Sequence, residues 1–389
     1  GDPAAAKAAF ERAKRLDETL LAPPLHMARL EIGTRQYDAA AKRLQGLLAK
    51  DDKNTEILLE LALLAEQRGQ LQQMEEWLRK ADDHAGPVEV RPVLALTDLY
   101  LRTQRTGPAL EAARRANAKA PPDDLPTQLA YGRALAASGD KVAARAAYAS
   151  ASRLAEANAP LQVRIATLQL AIQHPEGAAY SLEKALTSRP DLLAAQALMV
   201  DVDVQRKQFA DAERRAAQIV QQQPKLAVGH SLQGDVALAR GQQAVAIEAY
   251  RRAHQTEPSP DTFLRLSSVL WEVDGGRPAV QLAEQWSRQR PADAGARRVV
   301  ADAYARSGQY AQARTGYEAL LKTAPQDPAV LNNLANVLLR LKDPGAVAVA
   351  ERAAAQAPED ASALDTLGWA LFQGGGDAQR ERALGLLRT

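Results

Sequence analysis

The chain has 389 residues, of which 46% are hydrophobic and only 4% aromatic, and its formal net charge is +2. A balance so close to neutral excludes a polyanion-binding surface spread over the whole chain, so no nucleic-acid partner is expected, although a local basic patch stays open. The absence of cysteine excludes disulfides, cysteine–zinc sites and thiol chemistry, and no apolar run approaches the roughly 20 residues of a membrane-spanning helix.

At the N-terminus, Ala6, Phe10 and Ala13 recur at helical spacing, which predicts one helix within residues 1–20. From there a small residue returns at a step of 33–35: Ala28, Ala62, Thr97, Gly132, Ala166, Val200, Gly234, Ser268, Ala301, Ala335 and Gly368. Such a step marks an array of short units, each burying its face only against its neighbours. It overrides the two or three globular domains that length alone would suggest.

Eleven helices are expected to be centred on these markers, each the first of a pair. In Leu232-Gln233-Gly234-Asp235-Val236-Ala237-Leu238, for instance, apolar or small residues recur at three and four. Gly69, Gly139, Gly241 and Gly308 fall between paired helices, where glycine alone adopts a positive φ at little cost. Pro121, Pro190, Pro224, Pro258, Pro291, Pro325 and Pro358 fall between units, where a missing N–H costs least. Asp343-Pro344-Gly345 and Gly275-Gly276-Arg277-Pro278 replace the usual turn, and no strand pattern appears. On the second helices, Ala144 and Ala151, or Ala246 and Ala253, stand seven apart on one face. Tyr148, Tyr250 and Tyr317 are expected to fill the gap to the next unit as packing residues.

The set Gly234, Gly241, Ala246, Tyr250, Ala253 and Pro258 resembles the tetratricopeptide (TPR) repeat, and Tyr304, Gly308, Tyr310, Ala313, Tyr317 and Pro325 echo it. The resemblance implies an all-α fold, a right-handed superhelical solenoid of antiparallel helix pairs. Residues 1–20 would be the second helix of a truncated unit. About eleven units would follow over 21–389 as a single continuous solenoid, the last one cut, so that the chain is expected to be a piece of a longer protein.

The same resemblance implies an inner wall lined by the residue after each marker and by residues three or four before and after it. Asp98, Asp201, Asp235, Asp302 and Asn336 would then form an acceptor-rich stripe suited to a basic peptide or a hydroxyl-rich chain. Arg133 follows its own marker on the same wall, Arg265 and Arg298 stand close enough in the register to neutralise the stripe, and the other reading is ion pairing between neighbouring units. Asn332, Asn333 and Asn336 are the sharpest local feature, because an amide offers donor and acceptor together to a peptide backbone or a sugar hydroxyl. A clamp for a terminal carboxylate is not expected, since the next unit offers Ser362 and Thr366 instead of bases.

Nothing in the chain reads as catalytic. The five histidines are at least 24 residues apart, so none has the i, i+4 spacing of a helical metal site. Gly374-Gly375-Gly376 lacks the strand and the Lys-Ser/Thr pair of a phosphate loop. No metal, cofactor or enzymatic activity is therefore expected.

Two segments, Val330-Leu331-Asn332-Asn333-Leu334-Ala335-Asn336 and Ala363-Leu364-Asp365-Thr366-Leu367-Gly368-Trp369-Ala370, resemble the end of the TPR lipoprotein of PEP-CTERM/exosortase exopolysaccharide systems. That family often has Trp where Asn336 stands. This resemblance implies a Gram-negative envelope protein, periplasmic or anchored at the outer membrane through a part outside the sequence. It would act as a non-catalytic scaffold that binds protein or peptide partners, or polysaccharide, during assembly, export and sorting. The alternatives are the substrate-selecting arm of a larger enzyme such as a glycosyltransferase, and oligomerisation through the ends, with the oligomeric state left open.

Overall fold

A computed structural model describes residues 3–17, 20–273, 276–291, 293–374 and 377–386. Gly275, Gly375 and Gly376, expected in turns, lie outside the described residues, as do the ends 1–2 and 387–389. Twenty-three helices and no strand are present among the described residues, so the chain is all-α.

The helices fall into two compact units, 1–208 and 209–389. The first holds α1 (Pro3–Leu16), α2 (Ala22–Gly33), α3 (Tyr37–Leu48), α4 (Thr55–Gln67), α5 (Leu71–His84), α6 (Arg91–Arg102), α7 (Thr106–Lys119), α8 (Leu125–Ala137), α9 (Lys141–Leu154), α10 (Ala159–Ala171), α11 (Pro175–Ser188) and α12 (Leu193–Gln205). The second holds α13 (Phe209–Gln222), α14 (Val228–Ala239), α15 (Gln243–Thr256), α16 (Pro260–Leu270), α17 (Arg277–Gln289), α18 (Ala294–Arg306), α19 (Tyr310–Leu321), α20 (Pro328–Leu341), α21 (Ala346–Gln356), α22 (Ala361–Gly374) and α23 (Asp377–Leu386). Within each, helices that are consecutive in sequence pack as antiparallel pairs, and the pairs stack in chain order.

Two kinds of turn sustain this stacking. Between units the chain enters a first helix through a polar cap. Asp124, Asn158, Ser259, Asp293 and Asp327 each accept a hydrogen bond from a backbone N–H of the helix they precede. Within a unit the connection reverses through one left-handed residue, and before α9 Asp140 adds a polar cap to it. Gly69, Gly139, Gly241 and Gly308 take φ of +72°, +88°, +73° and +77° there, as the sequence implied. Arg35, Gln104, Gln173 and Lys342 hold φ of 59°, 58°, 60° and 55° in the same kind of turn, at a steric cost of about 1 kcal/mol each.

The core is a row of small clusters, each shared by consecutive helices, as when Tyr148 and Ala151 of α9 meet Ile165 and Ile172 of α10. Close approach within a pair depends on a missing methyl group. A Cβ on Gly132 would lie 2.6 Å from Tyr148 Cε1, and one on Gly234 would lie 2.3 Å from Tyr250 Cε1. The tyrosines thus reach the next unit, as expected, and Tyr148 and Tyr250 also cover the small marker of their own unit. In the α18–α19 pair the arrangement is inverted: the marker is Ala301, and the glycine is Gly316, whose added Cβ would sit 2.8 Å from Ala301 Cβ.

The first unit also buries a polar cluster. Ser152 donates its hydroxyl to the Gln162 side-chain oxygen at 2.8 Å, and Ser181 shares its single proton between Ser152 Oγ at 3.1 Å and the Gln169 side-chain oxygen at 2.9 Å. Full pairing makes such burial tolerable, and it fixes the register of α9, α10 and α11.

Candidate binding groove

A step of 33–35 residues places successive first helices in one register, so the residue after one marker meets the residues before the next. In the first unit this contact is ionic. Arg29 reaches Glu60 at 2.5 Å, Arg91 reaches Glu56 at 2.5 Å, Arg102 reaches Glu66 at 2.6 Å and Arg133 reaches Asp98 at 3.1 Å. Each bond links one helix pair to the next. The three pairs exposed on both sides stabilise only modestly, about 0–1 kcal/mol each, whereas Glu60 is buried.

In the second unit the ladder continues and then changes character. Arg265 of α16 bonds both oxygens of Asp235 on α14, at 2.6 and 2.7 Å. Asn333 of α20 donates to Asp302 of α18 at 3.1 Å. Asn336 donates to Thr366 of α22 at 3.1 Å, and Asn332 donates to Ser362 at 3.2 Å. The charged rungs have given way to neutral amides and hydroxyls.

A tyrosine from the second helix completes two rungs. Tyr250 donates to Asp235 at 2.6 Å, and Tyr317 donates to Asp302 at 2.6 Å. Burial first, and then the carboxylate that accepts the proton, holds both phenols far above the ordinary tyrosine range. Each therefore stays a neutral donor.

At the amide rungs the surface opens into a groove of about 580 Å³. Tyr310, Tyr317 and Val337 supply its apolar walls, and Asp302, Asn333, Asn336, Arg306 and Arg340 supply its polar ones. Arg306 and Arg340 stand exposed at the C-terminal ends of α18 and α20.

The candidate residues chosen from sequence divide accordingly. Asp302, Asn333 and Asn336 line the groove, with Asn332 buried behind them on α20. Arg298 is exposed on α18. Asp235 pairs with Arg265 further along the second unit. Asp98 and Arg133 pair with each other in the first unit, where Asp201 lies exposed on α12. Asp98, Asp235 and Asp302 are thus hydrogen-bonded by neighbouring pairs and do not stand as bare acceptors. Sequence reasoning missed Arg306, Arg340, Tyr310 and Val337. The signal was present, since Arg306 and Arg340 both follow their markers, Ala301 and Ala335, by five residues.

Among the described residues no three His, Cys, Asp or Glu side chains cluster closely enough for a metal ion. Among the same residues no helix is long and apolar enough to cross a membrane.

Models of the tetratricopeptide repeat match residues 25–88, from within α2 to just past α5, and residues 294–337, which hold the groove residues other than Arg340. The chain carries tetratricopeptide repeats. A stretch of 103 residues is 33% identical to mouse tetratricopeptide repeat protein 21B, covering 26% of this chain and 8% of that protein. The chain therefore spans under a tenth of that relative. Among solved structures, a tetratricopeptide repeat protein of Parabacteroides merdae is similar, with TM-score 0.47 and 14% identity over 63% of this chain and 97% of that one. Yeast Tom70 is similar with TM-score 0.44 and 12% identity over 94% and 90% of the two chains. The repeat array is a scaffold suited to protein–protein interaction.

Proposed function

We propose that this TPR array is a non-catalytic scaffold that holds an extended segment of a protein partner along the first-helix face of its second unit. The observation that carries this reading is the groove over α18 and α20, where the ladder of internal ion pairs gives way to amides. Asn333 and Asn336 spend their N–H groups on Asp302, Thr366 and the Asn332 carbonyl. Their side-chain oxygens remain to accept from a main chain laid across them.

The resemblance of residues 330–336 and 363–370 to export-system lipoproteins supports a setting. The scaffold would serve exopolysaccharide assembly and protein sorting in a Gram-negative envelope, in the periplasm or held at the outer membrane. Polysaccharide is the competing ligand there, because amides serve sugar hydroxyls equally well.

A photoreactive residue placed at Asn336 tests the groove in the cells the protein comes from. We expect it to crosslink to a protein, whereas the same residue at Arg352, exposed on α21, does not. Equal labelling from both positions, or adducts with glycan alone, would remove the protein-scaffold reading.

A further inference from the structure

We propose that the occupant of the groove over α18 and α20 is an acidic, extended polypeptide segment, read by Arg306 and Arg340; the inference rests on the groove assignment above. Five arginines of other first helices, Arg29, Arg91, Arg102, Arg133 and Arg265, are already paired with carboxylates. Arg306 and Arg340 have no carboxylate partner among the described residues. They stand at the same register on neighbouring first helices and border one cavity. The cavity's single carboxylate, Asp302, is taken up by the Tyr317 hydroxyl and the Asn333 amide. Two unneutralised cations beside one committed anion are complementary to a negatively charged ligand, and guanidinium groups favour planar, bidentate carboxylates.

The groove is also preorganised. The Arg306 guanidinium lies 4.2 Å from the centroid of the Trp271 ring, which holds the cation in place. Trp271 in turn is seated over Gly276, at φ +80°, where an added Cβ would come within 2.4 Å of the indole. A glycine in the turn before α17 thus positions a tryptophan, and the tryptophan positions the arginine. Trp271 and Gly276 are positioning residues here, and Arg306 is the contact.

Beyond Asn336 the same face offers a different chemistry. Asn336 touches Thr366, and over the next two helical turns α22 carries Trp369 and Phe372, 47% and 44% exposed and edge-to-face at 5.7 Å. A segment whose carboxylates meet Arg306 and Arg340, and whose backbone meets Asn333 and Asn336, brings its apolar residues to this aromatic pair. The ligand class is therefore acidic with interspersed apolar side chains, as distinct from a uniformly charged tail.

Fluorescence anisotropy with three labelled dodecapeptides, (Glu-Gly-Leu)4, (Gln-Gly-Leu)4 and (Lys-Gly-Leu)4, tests this with the full chain. The acidic peptide is expected to bind saturably and about tenfold tighter than the glutamine peptide, with no binding of the lysine peptide. Arg306→Gln with Arg340→Gln should erase that preference, Trp271→Leu should reduce it about threefold, and Arg352→Gln should leave it unchanged. Equal affinity for the glutamic and glutamine peptides overturns the acidic class, while loss of both on Asn333→Ala with Asn336→Ala keeps the groove itself. No peptide binding, or indifference to the arginine pair, overturns the proposal. Displacement of the acidic peptide by a lower concentration of oligoguluronate would reassign the site to an acidic glycan.

Discussion

Tyr317 donates its hydroxyl to Asp302 across 2.6 Å, joining the two helices of one repeat at the wall of the groove. Asn333 of the next repeat donates to the same carboxylate oxygen at 3.1 Å. Tyr250 and Asp235 repeat the relationship, with Arg265 as the donor from the next repeat. A hydroxyl inside one pair thus orients a carboxylate toward the following pair. The same bond that stacks the repeats decides how much negative charge the groove presents.

Tyr317→Phe keeps the ring and removes only the donor. Asp302 then loses one of its two partners in a half-buried position, at a cost of about 1–3 kcal/mol. Tyr148→Phe is the comparison, since the residue after its marker is Arg133 and its phenol has no carboxylate partner among the described residues. That change is expected within about 0.5 kcal/mol. Denaturant midpoints at unchanged slope measure both, and equal losses would show that the Asp302 bond contributes nothing.

The methyl groups beneath the tyrosines make a second prediction. Gly132 faces Ala147 with 3.3 Å between an added Cβ and the existing one, and Gly316 faces Ala301 at 2.8 Å. One methyl fits between the helices, on either side. Gly316→Ala adds a second, at a packing cost of about 1–3 kcal/mol, partly offset by about 1 kcal/mol of better helix propensity. Adding Ala301→Gly transfers the methyl to the other helix, as at Gly132. A double-mutant cycle cancels the propensity terms and should leave a favourable coupling of about 1 kcal/mol or more. A coupling near zero would mean that the helices simply move apart.

Much of this was legible in the sequence because an array repeats its own evidence. Small residues at a fixed step, glycines between paired helices and prolines between units locate the pairs without any long-range contact. Arg35, Gln104 and Gln173 escaped notice as left-handed turn residues, because packing of the paired helices imposes that geometry whether or not glycine is present. At the groove, the three asparagines stood out by their chemistry. Arg306 and Arg340 did not, since an arginine near a helix end reads as solvated until neighbouring helices place two of them on one cavity. The lock between Tyr317 and Asp302, 15 residues apart, needed the rotation of each helix about its axis, which periodicity leaves undetermined.

His254 gives the array a pH dependence whose sign follows from its surroundings. Its ring lies 5.3 Å from Trp286 and 6.4 Å from Phe263, and Nδ1 is 3.1 Å from the Thr262 hydroxyl. Burial, and then the Arg290 charge, lower its pKa in the folded chain. Arg290 itself is fixed by stacking 3.5 Å from the Trp286 ring centroid. The unfolded chain then binds a proton that the folded chain resists. The neutral ring's contribution is fully present above about pH 6.5, the ordinary histidine value, and is lost as pH falls from there through the folded value. Scanning calorimetry should show the melting temperature of the wild type falling between pH 7.5 and 5.5. His254→Phe keeps an aromatic ring against Trp286 and cannot be protonated, so its curve should be flatter over that window. Parallel curves would show that protonation of His254 is not what weakens the fold in acid.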